Sequence, residues 1–213
     1  ILIDDGSTDD SVAVASEFSD TRISLIVDGK NLGLISRLNQ LIKLAQGVFI
    51  ARMDSDDIMV DHRIETQLRV FRNKPHLDAV GSSYYVIDSD NSIFGVKNDS
   101  KILKTSVDVL VKGGLAHPTV LARTSWFREN LYNPIFLRCE DFELWMRTVD
   151  KSEFVILENH LLFYRSLGTP TIKKYLQTNF CLIKVLVSSY GLRISKLMVG
   201  KEVLKISLKL LLY

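Results

Sequence analysis

The chain has 213 residues, of which 46% are hydrophobic and 24% charged, so it can bury a packed core and does not belong to the disordered class. Its formal net charge of +2 gives no reason to expect a nucleic-acid partner. No apolar run reaches the roughly 18 residues of a membrane span. Cys139 and Cys181 have no metal-binding spacing, so a reducing cytoplasm is the expected setting, with one disulfide as the alternative.

The N-terminal part of the chain alternates apolar runs with segments of helical spacing. Strands are predicted at 1–3, 23–27 and 48–53, and helices through 12–18, 34–45 and 62–72. Because Ile1 lies inside an apolar run, we expect the chain to begin partway through a strand, with earlier sequence missing. Such alternation predicts a parallel α/β sheet, whose ligands bind beyond the carboxyl ends of the strands.

The pattern changes from residue 79 onward. Strands are predicted at 79–87, 93–96, 119–122 and in part of 154–164, and helices at 107–111, around Trp126 and at 141–149. After Pro170, two helices are predicted at 172–190 and 194–212, joined at Gly191.

The last predicted helix is rich in lysine and leucine. Lys196, Lys201, Lys205 and Lys209 recur at about helical spacing, which leaves the leucines on other faces. A basic amphipathic helix of this kind can lie on an anionic membrane. The alternative is a helix that packs on the domain and keeps a solvated lysine face.

The most informative motif is the acidic run Asp54-Ser55-Asp56-Asp57, directly after an apolar stretch. Three carboxylates in four residues repel one another and are costly to desolvate unless a cation lies among them. Mg²⁺ and Mn²⁺ prefer such oxygen ligands and leave room for substrate phosphates. The run therefore indicates metal and nucleotide-sugar binding by Asp56 and Asp57, supported by Asp54. A solvated or helix-capping acidic loop is the alternative.

A second acidic motif, Asp4-Asp5-Gly6-Ser7, follows the first strand. A carboxylate at this position can accept hydrogen bonds from a base or a ribose. The same residues suit an Asx-turn with a helix N-cap. A calcium loop is a third interpretation, but the EF-hand spacing is not met.

Three further features each allow a functional interpretation beside a structural one, in a site that transfers a group to an acceptor hydroxyl. Glu140-Asp141 opens an apolar helix, either as a match to the helix dipole or with Asp141 as general base toward an acceptor hydroxyl. His117 either lines the acceptor side or is structural. Arg37 and Arg165 either offset diphosphate charge or are ordinary surface arginines.

Taken in order, these segments resemble the family 2 glycosyltransferases, which have the GT-A fold. The matching segments are 4–9, 31–47, 53–57, 117–120 and 140–147, within residues 1–165. The resemblance implies an α/β fold with a Rossmann-like mixed sheet flanked by helices. The predicted domains are a GT-A domain at 1–168 and a C-terminal helical extension at 169–213.

The resemblance implies an inverting transferase that depends on Mn²⁺ or Mg²⁺. The expected donor is a nucleotide-diphospho-sugar, with a UDP-sugar preferred, and the expected acceptor is a sugar or lipid-linked sugar. Such an enzyme would work in cell-surface glycan synthesis, in the cytoplasm or at the inner face of the membrane.

The resemblance also assigns residue roles in this chain. Asp5 would contact the base, Asp56 the ribose or metal, and Asp57 the metal that bridges the diphosphate. Asp54 and Arg37 would support the nucleotide, and Asp141 would be the base. Glu140, His117 and Trp145 would lie on the acceptor side.

Two departures from the family pattern leave other functions open. The family's first strand, with its following loop and helix, is absent, so an inactive fragment or a non-catalytic binding module is an alternative. Residues 164–168 only partly match a segment that usually carries a histidine. A nucleotidyltransferase would favour a glycine-rich basic phosphate loop, which we do not find.

Overall fold

The computed structural model describes residues 1–166, 168, 171–188 and 195–211. Of these, residues 209–211 are described through the backbone alone. The helices are α1 Ser11–Ser16, α2 Leu34–Leu44, α3 Arg63–Asn73, α4 Ser106–Lys112, α5 Thr124–Glu129, α6 Glu140–Thr148, α7 Ile172–Ser188 and α8 Lys196–Leu211. The strands are β1 Leu2–Ile3, β2 Leu25–Ile26, β3 Phe49–Ala51, β4 Ile58–Met59, β5 Ala79–Ile87, β6 Ile93–Lys97, β7 Lys101–Leu103, β8 Leu121–Arg123 and β9 Phe154–Arg165.

Some predicted features fall outside this range. Gly191, the predicted joint of the two C-terminal helices, is not among the described residues, nor are Leu167 and the side chain of Lys209. The domain boundary between residues 168 and 169 stays a prediction.

The strands form one mixed sheet and one separate pair. β1 and β2 are parallel to each other, while the main sheet has the order β3-β8-β5-β9-β4, with β6 beside β5 and β7 beside β9. The mixed sheet implied by the family resemblance is confirmed. The purely parallel sheet predicted from strand–helix alternation is wrong, because β3 pairs antiparallel with β8, Ile50 opposite Ala122. Alternation reports local periodicity, whereas pairing joins residues about 70 positions apart.

The two long strands, β5 and β9, lie at the centre of the main sheet and position the segments around the site. They run parallel to each other, and each changes its second neighbour along its length. β5 pairs first with β8 and then with β6, where Tyr84 lies opposite Lys97. β9 pairs first with β7 and then with β4, where Phe163 lies opposite Ile58. Since β4 directly follows the acidic run, this pairing brings the end of β9 beside it.

Helix α6 is anchored in the main hydrophobic core. Trp145 stacks on Trp126 with ring centroids 6.0 Å apart and meets the edge of Phe154 at 5.5 Å. Leu144 and Met146 of the same helix are also buried. Burying a side chain of this size stabilises the fold by about 1.5 to 3 kcal/mol. The core therefore holds α6 in place, and with it the two acidic residues at its start.

The C-terminal helices pack on each other and are tied to α6. Cys139, which precedes α6, forms a disulfide with Cys181 of α7, with an S–S distance of 2.06 Å. The disulfide alternative is therefore the arrangement observed. No helix in the described ranges is both long and apolar enough to cross a membrane. In α8, Val199 is buried, while three leucines remain more than half exposed to solvent, at Leu197, Leu204 and Leu208.

Candidate active site

The acidic run forms a loop between β3 and β4, and its first carboxylate is held by Arg52. Both terminal nitrogens of Arg52 bind the Asp54 carboxylate, at 2.5 Å each. Arg52 is 8% exposed, and its Nε is buried without a partner among the described residues. Its carbonyl accepts a hydrogen bond of 2.8 Å from Nη2 of the fully buried Arg63. The loop therefore begins from a rigid, positively charged base.

Asp57 points away from Asp54, into the protein. Its Oδ1 accepts the backbone N–H of Arg165 at 2.8 Å, and its buried Oδ2 has no partner among the described residues. Burial raises the pKa of Asp57 to about 6, and the charges of Asp54 and Asp56 act in the same direction. The carboxylate thus stands where a cation would stabilise it.

The three acidic side chains do not converge on one point. Asp54 faces Arg52, Asp57 is buried, and Asp56 is exposed. Across the described ranges, no group of three or more His, Cys, Asp or Glu residues is arranged to hold a metal ion. The roles of Asp56 and Asp57 as metal ligands therefore stay predictions.

The first acidic motif organises the loop before α2. Oδ1 of Asp5 accepts the backbone N–H of Leu32 at 2.7 Å, and its Oδ2 accepts that of Gly33 at 3.0 Å. Partial burial acts to raise the pKa of Asp5, but these hydrogen bonds and the one from Arg37 hold it below its ordinary value. Asp4 accepts the N–H groups of Gly6 and Ser7, as expected of an Asx-turn.

The charge of Arg37 is satisfied inside the protein, and its predicted role toward the nucleotide stays a prediction. Its guanidinium is 3% exposed and forms a two-point ion pair with Asp28, at 2.9 and 2.7 Å. Its Nε binds Asp5 at 2.9 Å. These two carboxylates satisfy the charge, so Arg37 ties the loop that contains Asp5 to the loop that contains Asp28. Arg165 is similarly engaged, through carbonyl oxygens of Asp56 and Asp88.

The first turn of α6 supplies the acidic residues on the opposite side. Burial raises the pKa of Asp141 to about 6, and the charge of Glu140 adds to the shift. The N–H of Phe142, 2.7 Å from Oδ1 of Asp141, and the charge of Arg52 act against it. Glu140 is 7% exposed, and its buried Oε2 has no partner in the described part of the chain. A carboxylate with a pKa of about 6 is ionised at neutral pH and basic enough to accept a proton.

These groups line one cavity of about 510 Å³, which we call the central cavity. Asp54 and Arg52 reach it from the acidic loop, and Glu140 and Asp141 reach it from α6. The remaining lining residues are Leu34, Tyr84, Ala116, His117, Pro118, Leu137, Arg138 and Tyr164. The fold therefore brings acids from two distant segments to the same space. Asp5, Asp56 and Asp57 do not line this cavity.

His117 lies in the wall of the central cavity and is held from behind. Its Nε2 is 2.7 Å from the Tyr132 hydroxyl, and the ring is 8% exposed. Burial, with a smaller effect of the Arg52 charge, lowers the pKa of His117 well below its ordinary value, so the ring is neutral. Tyr132 is held in turn by Asn39, which exchanges two hydrogen bonds of 2.9 Å with its backbone.

Trp145 lies behind the wall of the central cavity rather than in it, and its predicted place on the acceptor side stays a prediction. It is 1% exposed and lies one helical turn beyond Asp141, inside the core. Its Nε1 donates to the carbonyl of Leu115 at 3.1 Å, and a Cβ added to Gly114 would come 2.3 Å from its ring. Trp145 therefore positions the loop at residues 113–116, whose last residue, Ala116, lines the cavity.

Several site residues carry no motif that would identify them. Arg52 has a weak signal, since a cation two residues before the first carboxylate of an acidic run is a natural counter-charge. Tyr84, Tyr132 and Tyr164 are single tyrosines whose place in the site depends on strand pairing and loop packing.

Comparison with known proteins agrees with this geometry. The model of glycosyl transferase family 2 matches residues 1–134. The putative glycosyltransferase EpsE of Bacillus subtilis is 33% identical over 156 residues, which cover 69% of this chain and 54% of that protein. The Escherichia coli UDP-Glc:alpha-D-GlcNAc-diphosphoundecaprenol beta-1,3-glucosyltransferase WfgD is 31% identical over 150 residues, 68% of this chain and 56% of that protein.

Solved structures show the same fold. A crystal structure of S. aureus TarS in complex with UDP-GlcNAc superposes with a TM-score of 0.68 at 14% identity, covering 96% of this chain and 61% of that one. The GT-A fold is thereby confirmed. The chain spans a little over half the length of the relatives named here. By its sequence match and its fold, the chain belongs to glycosyl transferase family 2.

Proposed function

We propose that this chain is the donor- and acceptor-binding part of an inverting glycosyltransferase. It would move a sugar from a nucleotide-diphospho-sugar, a UDP-sugar by preference, to an acceptor hydroxyl in cell-surface glycan synthesis. The observation that supports this most directly is the central cavity, where Asp54 and Asp141 come from segments about 90 residues apart. Family membership and the UDP-GlcNAc bound in the TarS structure support the same donor class.

Asp141 would act as the general base. Its carboxylate accepts the proton of the acceptor hydroxyl while that oxygen attacks the anomeric carbon of the donor. The new glycosidic C–O bond forms as the bond to the diphosphate breaks on the opposite face, so the anomeric configuration is inverted. The pKa of about 6 suits this task, because the group is ionised at neutral pH yet still basic. Glu140, with a buried oxygen that lacks a partner, is suited to accept a second acceptor hydroxyl.

The donor side would be formed by the acidic loop and the Asp5 loop. Asp54 is oriented by Arg52 and is suited to accept a ribose hydroxyl. Asp5 shapes the backbone at Leu32 and Gly33 for the base.

Asp56 and Asp57 are the residues that would hold Mn²⁺ or Mg²⁺. The buried Oδ2 of Asp57, which has no partner within the described ranges, fits a need for a cation beside the acidic loop. When bound, such an ion supplies positive charge to the leaving diphosphate.

A lipid-linked acceptor would place the enzyme at the cytoplasmic face of the membrane. The acceptor class printed in the name of WfgD supports this proposal, as do the exposed leucines of α8. The Cys139–Cys181 disulfide is unusual for a reducing cytoplasm, where such bonds are transient. Alkylation of the two thiols in intact cells tests the location: rapid labelling fits the cytoplasm, and protection from labelling contradicts it.

A donor screen on the full-length protein tests the proposed function. Release of nucleoside diphosphate is measured for a panel of UDP-, GDP- and dTDP-sugars, with and without Mn²⁺. We expect turnover with one donor class and a strong dependence on the metal. Donor binding without turnover for any acceptor would favour the non-catalytic module. Equal activity after complete chelation would remove the metal roles of Asp56 and Asp57.

A further inference from the structure

A second cavity adjoins the central one and is lined by lysines. It has a volume of about 180 Å³ and lies between β5, β6, β7 and the loop after α4. We call it the lysine pocket. Its polar lining consists of Ser82, Tyr84 and Asp99 and of three lysines, Lys97, Lys101 and Lys112. Tyr84 and Ala116 belong to both cavities, so the two share a wall.

Strand register explains why these residues share one face. Ser82 and Tyr84 are two positions apart on β5 and point to the same side. Lys97 of β6 lies directly opposite Tyr84. The segment between β6 and β7 is held by Ser83, whose Oγ exchanges hydrogen bonds of 2.8 Å with the backbone of Asp99. Lys97 and Lys101 are therefore presented by the ends of paired strands, and Lys112 by the last residue of α4.

The charges in the lysine pocket are only partly neutralised. Lys101 pairs with Asp99 at 2.7 Å and also donates to the carbonyl of Lys112, while Lys112 pairs with Asp108 at 2.5 Å. The side chain of Lys97, which is exposed at the end of β6, makes no hydrogen bond or ion pair with any described residue. Two of the three lysines are therefore neutralised by carboxylates, and the ammonium of Lys97 is left to meet an anion.

A buried hydroxyl at the base of the pocket also lacks a partner. Ser82 is 2% exposed, and its Oγ makes no hydrogen bond within the described part of the chain. Leaving a buried hydroxyl unpaired is unfavourable, so a polar group that enters the pocket and bonds to Ser82 Oγ would be favoured. A donor hydroxyl together with an unpaired ammonium suits a phosphoryl oxygen.

We propose that the lysine pocket binds a phosphoryl group of the acceptor, with Lys97 and Ser82 as its direct contacts. Lys101 and Lys112 add positive charge and frame the pocket. This inference rests on the proposed function for the statement that the ligand is the acceptor, because the sugar being extended would occupy the central cavity. An acceptor joined to a diphosphate would then reach from one cavity into the other past Tyr84.

Binding to the full-length protein tests the proposal without needing the correct acceptor sugar. UDP is titrated first, and the remaining titrations are done by calorimetry with UDP saturating, which fills the donor site. The probes are inorganic diphosphate, geranyl diphosphate, geraniol and glucuronate. We expect both diphosphates to bind, geraniol and glucuronate not to bind, and Lys97→Ala to weaken diphosphate binding at least ten-fold. A preference for geranyl diphosphate over inorganic diphosphate would identify a lipid headgroup as the source.

Two variants serve as controls. Lys104→Ala removes a nearby lysine that is 63% exposed and lies outside the pocket, and it should leave binding unchanged. Ser82→Ala should weaken diphosphate binding while its thermal midpoint stays the same or rises, because the hydroxyl has no partner among the described residues. Equal affinity in wild type and Lys97→Ala would overturn the proposal, as would binding of glucuronate alone. Failure of UDP to bind would instead contradict the proposed donor site, and diphosphate titration without UDP would still test the pocket.

Discussion

The backbone N–H of Arg165 donates a hydrogen bond of 2.8 Å to Oδ1 of Asp57, across 108 residues of sequence. The Arg165 guanidinium binds the carbonyl of Asp56 at 2.7 Å, so the last residue of β9 holds two neighbouring positions of the acidic loop. Asp57 therefore has a role in positioning the loop, whether or not its other oxygen meets a cation. The contribution of Asp57 to stability can therefore be measured separately from any contribution to metal binding.

Replacing Asp57 by asparagine should stabilise the protein at neutral pH in the absence of metal. The amide oxygen can still accept the Arg165 N–H, and the costly buried charge is gone. A rise in pKa from 3.8 to about 6 corresponds to roughly 3 kcal/mol of differential interaction, so we expect a gain of about 1 to 3 kcal/mol. The free energy of unfolding is measured by urea titration near pH 7.5 with a chelator present.

The pH dependence of stability checks the cause of that gain. Because the folded-state pKa of Asp57 is raised, the native state binds the proton more tightly, and stability should fall as pH rises from about 4 to above 6. Asp57→Asn should flatten this fall, leaving the part due to Asp141, whose pKa is raised in the same sense. Asp57→Ala leaves the Arg165 N–H unpaired and should be less stable than Asp57→Asn by about 1 to 3 kcal/mol. An unchanged pH profile in Asp57→Asn would contradict the burial argument.

Asp141→Asn should abolish most sugar transfer while preserving donor binding. The asparagine keeps the shape of the side chain but cannot accept the proton, which predicts a loss of about 10²- to 10⁴-fold in kcat. In the wild type, kcat/KM should rise with pH through about 6, as Asp141 ionises. Both are measured as nucleoside-diphosphate release by the full-length enzyme, with donor affinity from calorimetry.

Asp61→Asn is the matched control for that variant, since its side chain is 95% exposed and does not line the central cavity. It should behave like wild type. If Asp141→Asn kept near-normal turnover, Asp141 would not be the base, and Glu140 would become the candidate to test.

Gly114→Ala should destabilise the protein and reduce activity together. The new methyl group would lie 2.3 Å from Cδ1 of Trp145, so either the indole or the loop at residues 113–116 must move. Overpacking of this kind costs about 1 to 3 kcal/mol, and Ala116 at the end of the loop lines both cavities. Thermal unfolding and transfer activity are compared with those of the wild type.

Gly200→Ala is the control for Gly114→Ala, because the same change of residue should here raise stability. Gly200 lies inside α8, and apart from the backbone of that helix and its chain neighbours no described atom lies within 4 Å of the added Cβ position. Alanine there should stabilise the helix by up to about 1 kcal/mol. Equal thermal midpoints for the two variants would show that the space between Gly114 and Trp145 accommodates a methyl group without loss of stability.

Cys139→Ser should lower stability under oxidising conditions and have little effect under reducing ones. The Cys139–Cys181 bond closes a loop of 42 residues, for which chain entropy predicts a stabilisation of about 4 kcal/mol. Urea unfolding with and without dithiothreitol measures this difference for the wild type and the variant. Equal stability of the oxidised wild type and Cys139→Ser would show that the bond does not form in solution.

Local patterns in the sequence predicted most of the elements. The helix predicted at 34–45 is observed as Leu34–Leu44, and the strand at 79–87 has the predicted bounds. Short edge strands such as Ile58–Met59 were beyond such patterns, because two residues carry no periodicity and form a strand only through the partner they meet in β9. The mixed sheet has the same origin, since strand direction is chosen by neighbours distant in sequence.

For the site, the sequence alone determined the family and the order of the acidic motifs along the chain. It did not determine what each charged or aromatic side chain does. Arg37 is satisfied by two carboxylates, Asp57 is turned inward toward β9, and Trp145 lies in the core. Only the tertiary structure decided these roles, because desolvation and hydrogen bonding depend on which distant segments pack against a residue.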